Sequence, residues 1–478
     1  MKNINIVFGS EEYYVYDGNR IITNATLYRL KVINFIYFLL KKKKYFKFKK
    51  DFVLYKKDGF LAKYSRPPIF KRDNMLMCLL DLFKVKYEKC FYETNTDVVL
   101  YDSIFPAHCS DFRCLEYTEY FKHFESISCL TSKEDMYFLN FSSRDCDNSI
   151  KEFNKNAGKE VVFDCTKKTF IIKNGKILYT NFLRQIYEII DIVEIPFVFC
   201  MYPGGGFALD DKHTDEMCKK VFSNKYFRKV IVTTKITKDY LIYKGFCLEE
   251  NIILIPGGVT SAKSLSSNTI ENKKFYGEGK KTFDIAFFAR RQSMFGEDKG
   301  YDTFIKIAST LIKRYPYVRA HIAGFGWRED TYPINKELRQ NFIFYDWLSP
   351  ESIAVFFKQI DVIISPNKAF VLEDKKYFDG FPTGCVVEAM LHGTVAIVSD
   401  MLNINQSEGR YTNHADIEII DPFDIEGYID ACERFMQNPK LLRSVATKGM
   451  NKTRKINSYK AQIIPRIKLI EAIMEKKE

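Results

Sequence analysis

The sequence predicts an α/β protein whose strands lie parallel, arranged as two domains. Three observations carry that expectation. Short continuous apolar runs, such as Asp97-Val98-Val99-Leu100-Tyr101-Asp102 and Pro196–Met201, end in loops, as strands buried on both faces do. Segments of helical pattern separate these runs, which argues for parallel strands joined by crossovers. A chain of 478 residues exceeds what one core holds, and the polar stretch Thr260–Lys281 divides the runs into two series.

Residues 1–96 form an N-terminal extension of unassigned role. They hold strand-like pieces at Asn3–Phe8 and Phe52–Tyr55 and a helical pattern near Asn74–Phe83. The first domain spans 97–259. Its expected strands lie at 97–102, 126–130, 161–164, 170–172, 196–201, 227–233 and 252–255, with helices at Phe112–Phe124 and Asn181–Ile192. Residues 260–281 read as a linker. The second domain, 282–455, opens with strand Phe283–Ala289 and a helix at Asp302–Lys313, where Phe304, Ile307, Ala308, Leu311 and Ile312 share one face. Further strands are expected at 319–323, 342–345 and 361–366, with a helix at 350–359. Over 456–478, Ser458 caps a last helix that carries Ile463, Ile467, Ile470 and Met474 on one face and is kinked by Pro465.

Composition narrows the class. The longest apolar run, Val32–Leu40, falls well short of the roughly 20 residues a membrane-spanning helix needs. Residues 1–8 lack a signal-peptide pattern, so a cytoplasmic chain is expected. None of the 12 cysteines forms a Cys-x-x-Cys pair and none pairs with His at zinc spacing, which argues reduced thiols and no metal. The net charge of +13 calls for an anionic partner. Nine Lys against one Asp over residues 41–57, interleaved with aromatics, fit an anionic membrane surface. A Lys-, Tyr- and Asn-rich composition throughout the chain accounts for the same stretch without such binding. Nucleic-acid binding is not expected.

The most informative stretch is Phe378–Asp400. It reads as a carboxylate (Asp379), a Gly-rich loop, a helix start carrying Glu388, and a buried strand. Such a loop aims backbone N–H groups and a helix N-terminus at one spot, which suits an anionic or polyhydroxyl ligand. This stretch resembles the signature of retaining, nucleotide-sugar-dependent glycosyltransferases of family 4. The resemblance implies the GT-B fold: two Rossmann-like doubly wound domains facing a cleft, with a kinked C-terminal helix crossing back to the first.

The resemblance also implies roles. Arg290 and Lys299, in Ala289-Arg290-Arg291 … Lys299-Gly300, match the family's Gly-Arg … Lys-Gly element, which neutralises the donor diphosphate. Asp379 and Glu388 match its two acids, usually Glu-x7-Glu; here the first is Asp and the spacing is one residue longer, with Gly384 the extra residue. Glu388 would bond the ribose hydroxyls, and Gly380, Phe381, Pro382, Thr383 and Gly384 would line the sugar and phosphate pocket. Gly324 and Trp347 fall near the nucleotide base. On the acceptor side, Tyr202, Gly204, Gly205 and Gly206 follow a buried strand where the family often carries a His, which is missing here; the same glycines also fit a tight structural turn. His108 and Arg113 occupy the acceptor-side loop after the first strand.

Other templates fail: there is no Gly-x-x-x-x-Gly-Lys-Ser/Thr, no Gly-x-Gly-x-x-Gly after a strand and no His-Glu-x-x-His. Asp145-Cys146-Asp147 spells a metal-binding Asp-x-Asp, but among polar residues without a strand pattern it reads as a chance loop sequence. The function implied is metal-independent transfer of a sugar, with retention, from a nucleotide diphosphate to a glycan or lipid-linked hydroxyl, in cell-surface polysaccharide or glycolipid assembly. No cofactor beyond the nucleotide-sugar co-substrate is expected. A nucleotide-sugar epimerase on the same fold and a non-catalytic nucleotide-sugar-binding subunit are the rivals.

Overall fold

The computed structural model describes residues 96–107, 111–133, 142–165, 172, 174–345, 348–372 and 375–475. The elements expected at 3–8, 52–55 and 74–83 and the Lys-rich stretch 41–57 lie outside them. The described residues fall in two compact units. The smaller includes 103–107, 131–133 and 142–165, and the larger holds the rest.

In chain order the elements begin with β1 (Val98–Asp102), α1 (Asp111–His123) and β2 (Ile127–Thr131), then α2 (Ser143–Ala157) and β3 (Val162–Asp164) of the smaller unit. The larger unit continues with β4 (Ile177–Asn181), α3 (Leu183–Ile189), β5 (Phe197–Met201), α4 (Lys212–Phe222), β6 (Phe227–Val232), α5 (Lys235–Tyr243), β7 (Ile252–Leu254) and α6 (Ala262–Leu265). A second series follows: β8 (Phe283–Phe288), α7 (Tyr301–Arg314), β9 (Val318–Ala323), β10 (Phe342–Phe344), α8 (Pro350–Gln359), β11 (Val362–Ser365), α9 (Gly384–Leu391), β12 (Val395–Val398), α10 (Ile404–Glu408) and β13 (Glu418–Ile419). Helices α11 (Ile425–Gln437), α12 (Pro439–Ile456) and α13 (Tyr459–Glu475) complete the chain.

Within the larger unit the first sheet runs β2-β1-β4-β5-β6-β7 and the second β10-β9-β8-β11-β12-β13. The pairs from β1 to β7 and all pairs of the second sheet are parallel. Chain order reverses between β1 and β4 in one sheet and between β8 and β11 in the other. Ligands of open α/β sheets collect at the carboxyl ends of strands at such reversals. Packing explains the regularity: Ile285, Phe287, Ile322, Ile364 and Ile397 are buried in one cluster with Phe304, Ile307, Ala308 and Leu311, the expected apolar face of α7.

Three local readings change. Asp145–Asp147 lie in the first turn of α2, not in a loop. Ser142 Oγ accepts from the Asp145 N–H at 3.2 Å and Asp145 Oδ2 accepts from the Ser142 N–H at 3.0 Å, a capping box that turns this polar sequence into a helix start. The helix expected from Asn181 is preceded by a central strand, β4, which the sequence reading passed over; only three of its five residues, Ile177, Leu178 and Tyr179, are apolar, too few for periodicity to classify. Residues 260–281 are packed rather than free. Phe275 is fully buried in the second core, and buried Lys273 donates to the Phe357 carbonyl at 2.9 Å and to Thr394 Oγ1 at 2.8 Å.

Helix α13 carries Pro465 in its interior, and Ser458 Oγ accepts from the Ala461 N–H at its start. Its face of Ile463, Ile467 and Ile470 is buried, but so are Gln462 and Arg466, and these cross to the first sheet. Arg466 and Glu116 of α1 are both completely buried. Glu116 Oε1 accepts from Tyr120 at 2.7 Å and from Tyr179, Oε2 accepts from Tyr202 at 2.8 Å, and Arg466 Nε stands 3.6 Å from Oε1. Arg466 also donates to the Gln462 carbonyl at 2.5 Å, and Gln462 Nε2 donates to the Pro256 carbonyl at 2.8 Å. A charge pair this deep is sustained only because nearly every polar atom has a partner. Arg466→Met should therefore destabilise the protein by about 3–5 kcal/mol in urea unfolding, since it strands the Glu116 carboxylate. Arg466→Met with Glu116→Gln should recover much of that loss.

Candidate active site

The reversal between β8 and β11 gathers the donor-side candidates. Ser365, the last residue of β11, donates to Asn367 Oδ1 at 2.6 Å, and Asn367 Nδ2 donates to Asp379 Oδ2 at 2.6 Å. Lys299 ends a short 3-10 turn (Glu297–Lys299) before α7 and donates to Asp379 at 2.9 and 2.7 Å. The ammonium is nearly buried and has Asp298 Oδ2 at 3.7 Å. Burial opposes its charge, but Asp379 and then Asp298 outweigh that and hold its pKa above the ordinary lysine value. Arg290 follows β8 and is half-buried. Next to it Gly324 ends the neighbouring β9 at φ 111°, and a Cβ there would lie 2.0 Å from the Ala289 carbonyl, so only glycine fits. Trp327 donates to that same carbonyl at 2.5 Å and packs in the core against Phe287 and Tyr301. Trp347 lies outside the described residues.

The loop Gly380–Thr383 leads into α9, whose N-cap Thr383 makes no side-chain bond to the first turn. The first N–H groups of this helix are thus open to a ligand. Gly384, its first residue, is exposed, and a Cβ there would meet nothing within 4 Å, so the extra residue sits where space allows it. Glu388 lies one turn further along. Its Oε1 accepts from Ser264 Oγ of α6 at 2.6 Å and faces His392 Nε2 at 3.1 Å. His392 Nδ1 is in turn 3.0 Å from Thr269 Oγ1 and 3.2 Å from Ser267 Oγ. Oε1 is fully engaged, while Oε2 has no partner among the described residues and the side chain is 24% exposed.

The acceptor-side candidates gather at the other reversal, between β1 and β4, and mostly face inward. Arg113 Nε stands 3.4 Å from Asp102 Oδ2, and its guanidinium lies 5.1 Å from the Phe182 ring centroid. Tyr202 stacks near Phe112 and Phe182, but its hydroxyl belongs to the Glu116 cluster rather than to open space. Gly204–Gly206 form a closed turn in which the Phe207 N–H donates to the Gly204 carbonyl at 3.1 Å, and a Cβ on Gly205 would lie 2.2 Å from Phe182. His108 lies outside the described residues.

Sequence reading missed Ser264, Asn367 and His392. His392 had a signal, since positions i and i+4 of a helix share a face and Glu388 precedes it by four. The others come from segments with no motif. One consequence of the geometry can be read directly. Asp379→Asn removes the largest influence raising the Lys299 pKa, leaving burial opposed mainly by Asp298, so titration of Lys299 should move to lower pH in lysine side-chain NMR. In the unaltered protein the folded pKa lies above the unfolded one, so this pair's contribution to stability is complete below pH 10.5 and is lost as pH rises through the folded value.

Residues 282–438, less than half of the chain, match the family model of glycosyl transferases group 1. No curated protein sequence matches. Among solved structures, a glycosyltransferase from Rickettsia africae is 12% identical, covering 81% of this chain and 100% of its own, with a TM-score of 0.55. HepE of Anabaena, solved in complex with UDP and glucose, is 12% identical over 79% of this chain and 100% of its own, with a TM-score of 0.54. The chain spans 55% of the length of TarM, which is 15% identical over 63% of this chain with a TM-score of 0.45. At these identities the structures speak to fold alone. The chain has the GT-B fold, and its residues 282–438 are similar to the glycosyl transferases group 1.

Proposed function

We propose that the protein is a glycosyltransferase that moves a sugar from a nucleotide diphosphate to a hydroxyl of a glycan or lipid-linked acceptor, with retention of configuration. The observation that carries this reading is the convergence of Lys299, Asp379 and Asn367 beside the uncapped start of α9, with Glu388 braced one turn beyond. Cations and open amides suit a diphosphate, and a carboxylate with one oxygen held and one available suits vicinal hydroxyls. That HepE was solved with UDP and glucose supports the same donor class.

In the proposed reaction Lys299 and Arg290 neutralise the diphosphate as it departs, with the α9 N-terminus adding N–H groups. Glu388 Oε2 holds the ribose, and Asp379 and the loop 380–384 orient the sugar. No side chain is assigned as nucleophile. The acceptor hydroxyl attacks the face the leaving group departs from and passes its proton to the departing phosphate. The co-substrate is the nucleotide sugar, and Lys299 and Arg290 meet the charge that a metal meets elsewhere. The Lys-rich stretch 41–57 suits an acceptor presented at an anionic membrane surface.

Radiolabelled UDP-glucose and other nucleotide sugars test this directly. Lys299→Ala and Glu388→Ala should each lower transfer or hydrolysis by about 10²-fold or more, as loss of a preorganised charge does. Donor binding without turnover in the unaltered protein would favour a binding subunit, and turnover unaffected by both substitutions would remove the site assignment. UDP at about 100 times its Kd should raise stability by about 2.7 kcal/mol, read as a thermal shift, and Glu388→Ala should shrink that shift.

A further inference from the structure

We infer that Arg410 is a positioning residue for the donor loop, and that with Glu408 it ties that loop to the turn between β6 and α5 of the first domain. The inference rests on the donor-site reading above but stands on its own geometry. Arg410 is 6% exposed, and no motif marks it. Its Nη1 donates to the Phe381 carbonyl at 2.7 Å, inside the loop that leads to α9. Its Nη2 donates to the Thr233 carbonyl at 3.0 Å, immediately after β6, and forms an ion pair with the Glu408 carboxylate. Glu408 Oε1 accepts from the Lys235 N–H at 2.8 Å.

The pair serves both domains at once. The Lys235 N–H is one of the donors that α5 leaves unsatisfied at its start, and a carboxylate there is favoured by the helix dipole. The guanidinium is a rigid planar fork, able to hold two carbonyls from different segments in fixed directions, which a lysine ammonium cannot reproduce. The pair is itself anchored at the end of β12, where the Asp400 carboxylate accepts from the Ile404 and Asn405 N–H groups at 2.8 Å each and so fixes α10. Nearby contacts align the loop the same way: the Leu209 N–H donates to the Lys376 carbonyl at 3.2 Å, and Phe378 packs edge-on to Phe207 with centroids 6.2 Å apart. Holding the Phe381 carbonyl toward the first domain sets the peptide planes that follow it, including the N–H groups of Thr383 and Gly384 that face a donor phosphate in the proposed reaction. Donor binding is thereby coupled to the apposition of the two domains.

The test separates the clip from the donor reading. In the unliganded full-length protein, hydrogen–deuterium exchange of peptides covering 379–387 should accelerate about tenfold in Arg410→Gln while a β8 peptide (283–288) keeps its protection. Arg410→Lys, which retains one of the two carbonyl bonds, should recover part of that protection. In the same proteins Arg410→Gln should weaken UDP binding by calorimetry about tenfold, with Arg410→Lys again intermediate. If Arg410→Gln does not fold, Glu408→Gln, which keeps the shape and removes the charge, should show the same exchange pattern at smaller amplitude. Unchanged exchange over 379–387 in a folded Arg410→Gln or Glu408→Gln protein overturns the inference, whether or not the protein binds UDP. Faster exchange with no UDP binding by the unaltered protein supports the clip and removes the donor-site reading.

Discussion

The buried pair of Arg466 and Glu116 is the constraint on which the rest of the arrangement hangs. Two α/β domains joined by short connections have no intrinsic reason to present the carboxyl ends of their strands to a common space. Helix α13 supplies one: it follows the last helix of the second domain yet carries its only fully buried arginine into α1 and β4 of the first. Burial of both charges is tolerable because three tyrosine hydroxyls donate to the Glu116 carboxylate and Arg466 donates to Gln462. Burial also pushes the hydroxyls of Tyr120, Tyr179 and Tyr202 well above their ordinary pKa, so they remain donors to the carboxylate across the physiological range. A hydrophobic contact would tolerate sliding; this one has a single register.

With the domains so fixed, the second sheet can build a polar site from parts that are separately unremarkable. Lys299 and Asp379 neutralise one another, Asn367 donates to the same carboxylate, and Glu388 is braced from two sides, by α6 and by His392. The segment 260–281 takes part in the site through Ser264, Ser267 and Thr269, so the connection between domains is also the outer support of Glu388.

How much of this was legible depended on whether the information was local. Strands such as β1, β5, β8 and β12 are continuous apolar runs, and α7 has an unbroken apolar face, so they could be read directly. The motif residues Arg290, Lys299, Asp379 and Glu388 fall within two short stretches, so the sequence could offer them together as candidates. β4 was not, because five residues ending in a polar Asn look like the approach to a helix. Arg466 was hidden inside an apolar stripe, and Arg410 in Glu408-Gly409-Arg410, a charged tripeptide of the kind solvent-facing turns carry. Both act through partners more than 100 positions away in sequence, and a single sequence carries no trace of such pairings. Tyr202 was placed correctly at its strand end, yet its hydroxyl turned inward because a buried carboxylate waited there.

The Lys299–Asp379 pair also bears on what kind of equilibrium donor binding is. An empty site with a bare lysine would attract any anion and release bound counterions when occupied, giving steep dependence on ionic strength. Here the lysine already has Asp379 as a partner, so in the proposed function an incoming diphosphate would trade places with a carboxylate that stays tethered nearby. The event is ion exchange rather than charge neutralisation. On the proposed reading, inorganic phosphate would gain only the lysine, whereas a ligand that also offers hydroxyls to the released carboxylate would recover what the exchange gives up. In the proposed function, the Lys299–Asp379 pairing would thus favour a sugar-bearing diphosphate over a simple anion.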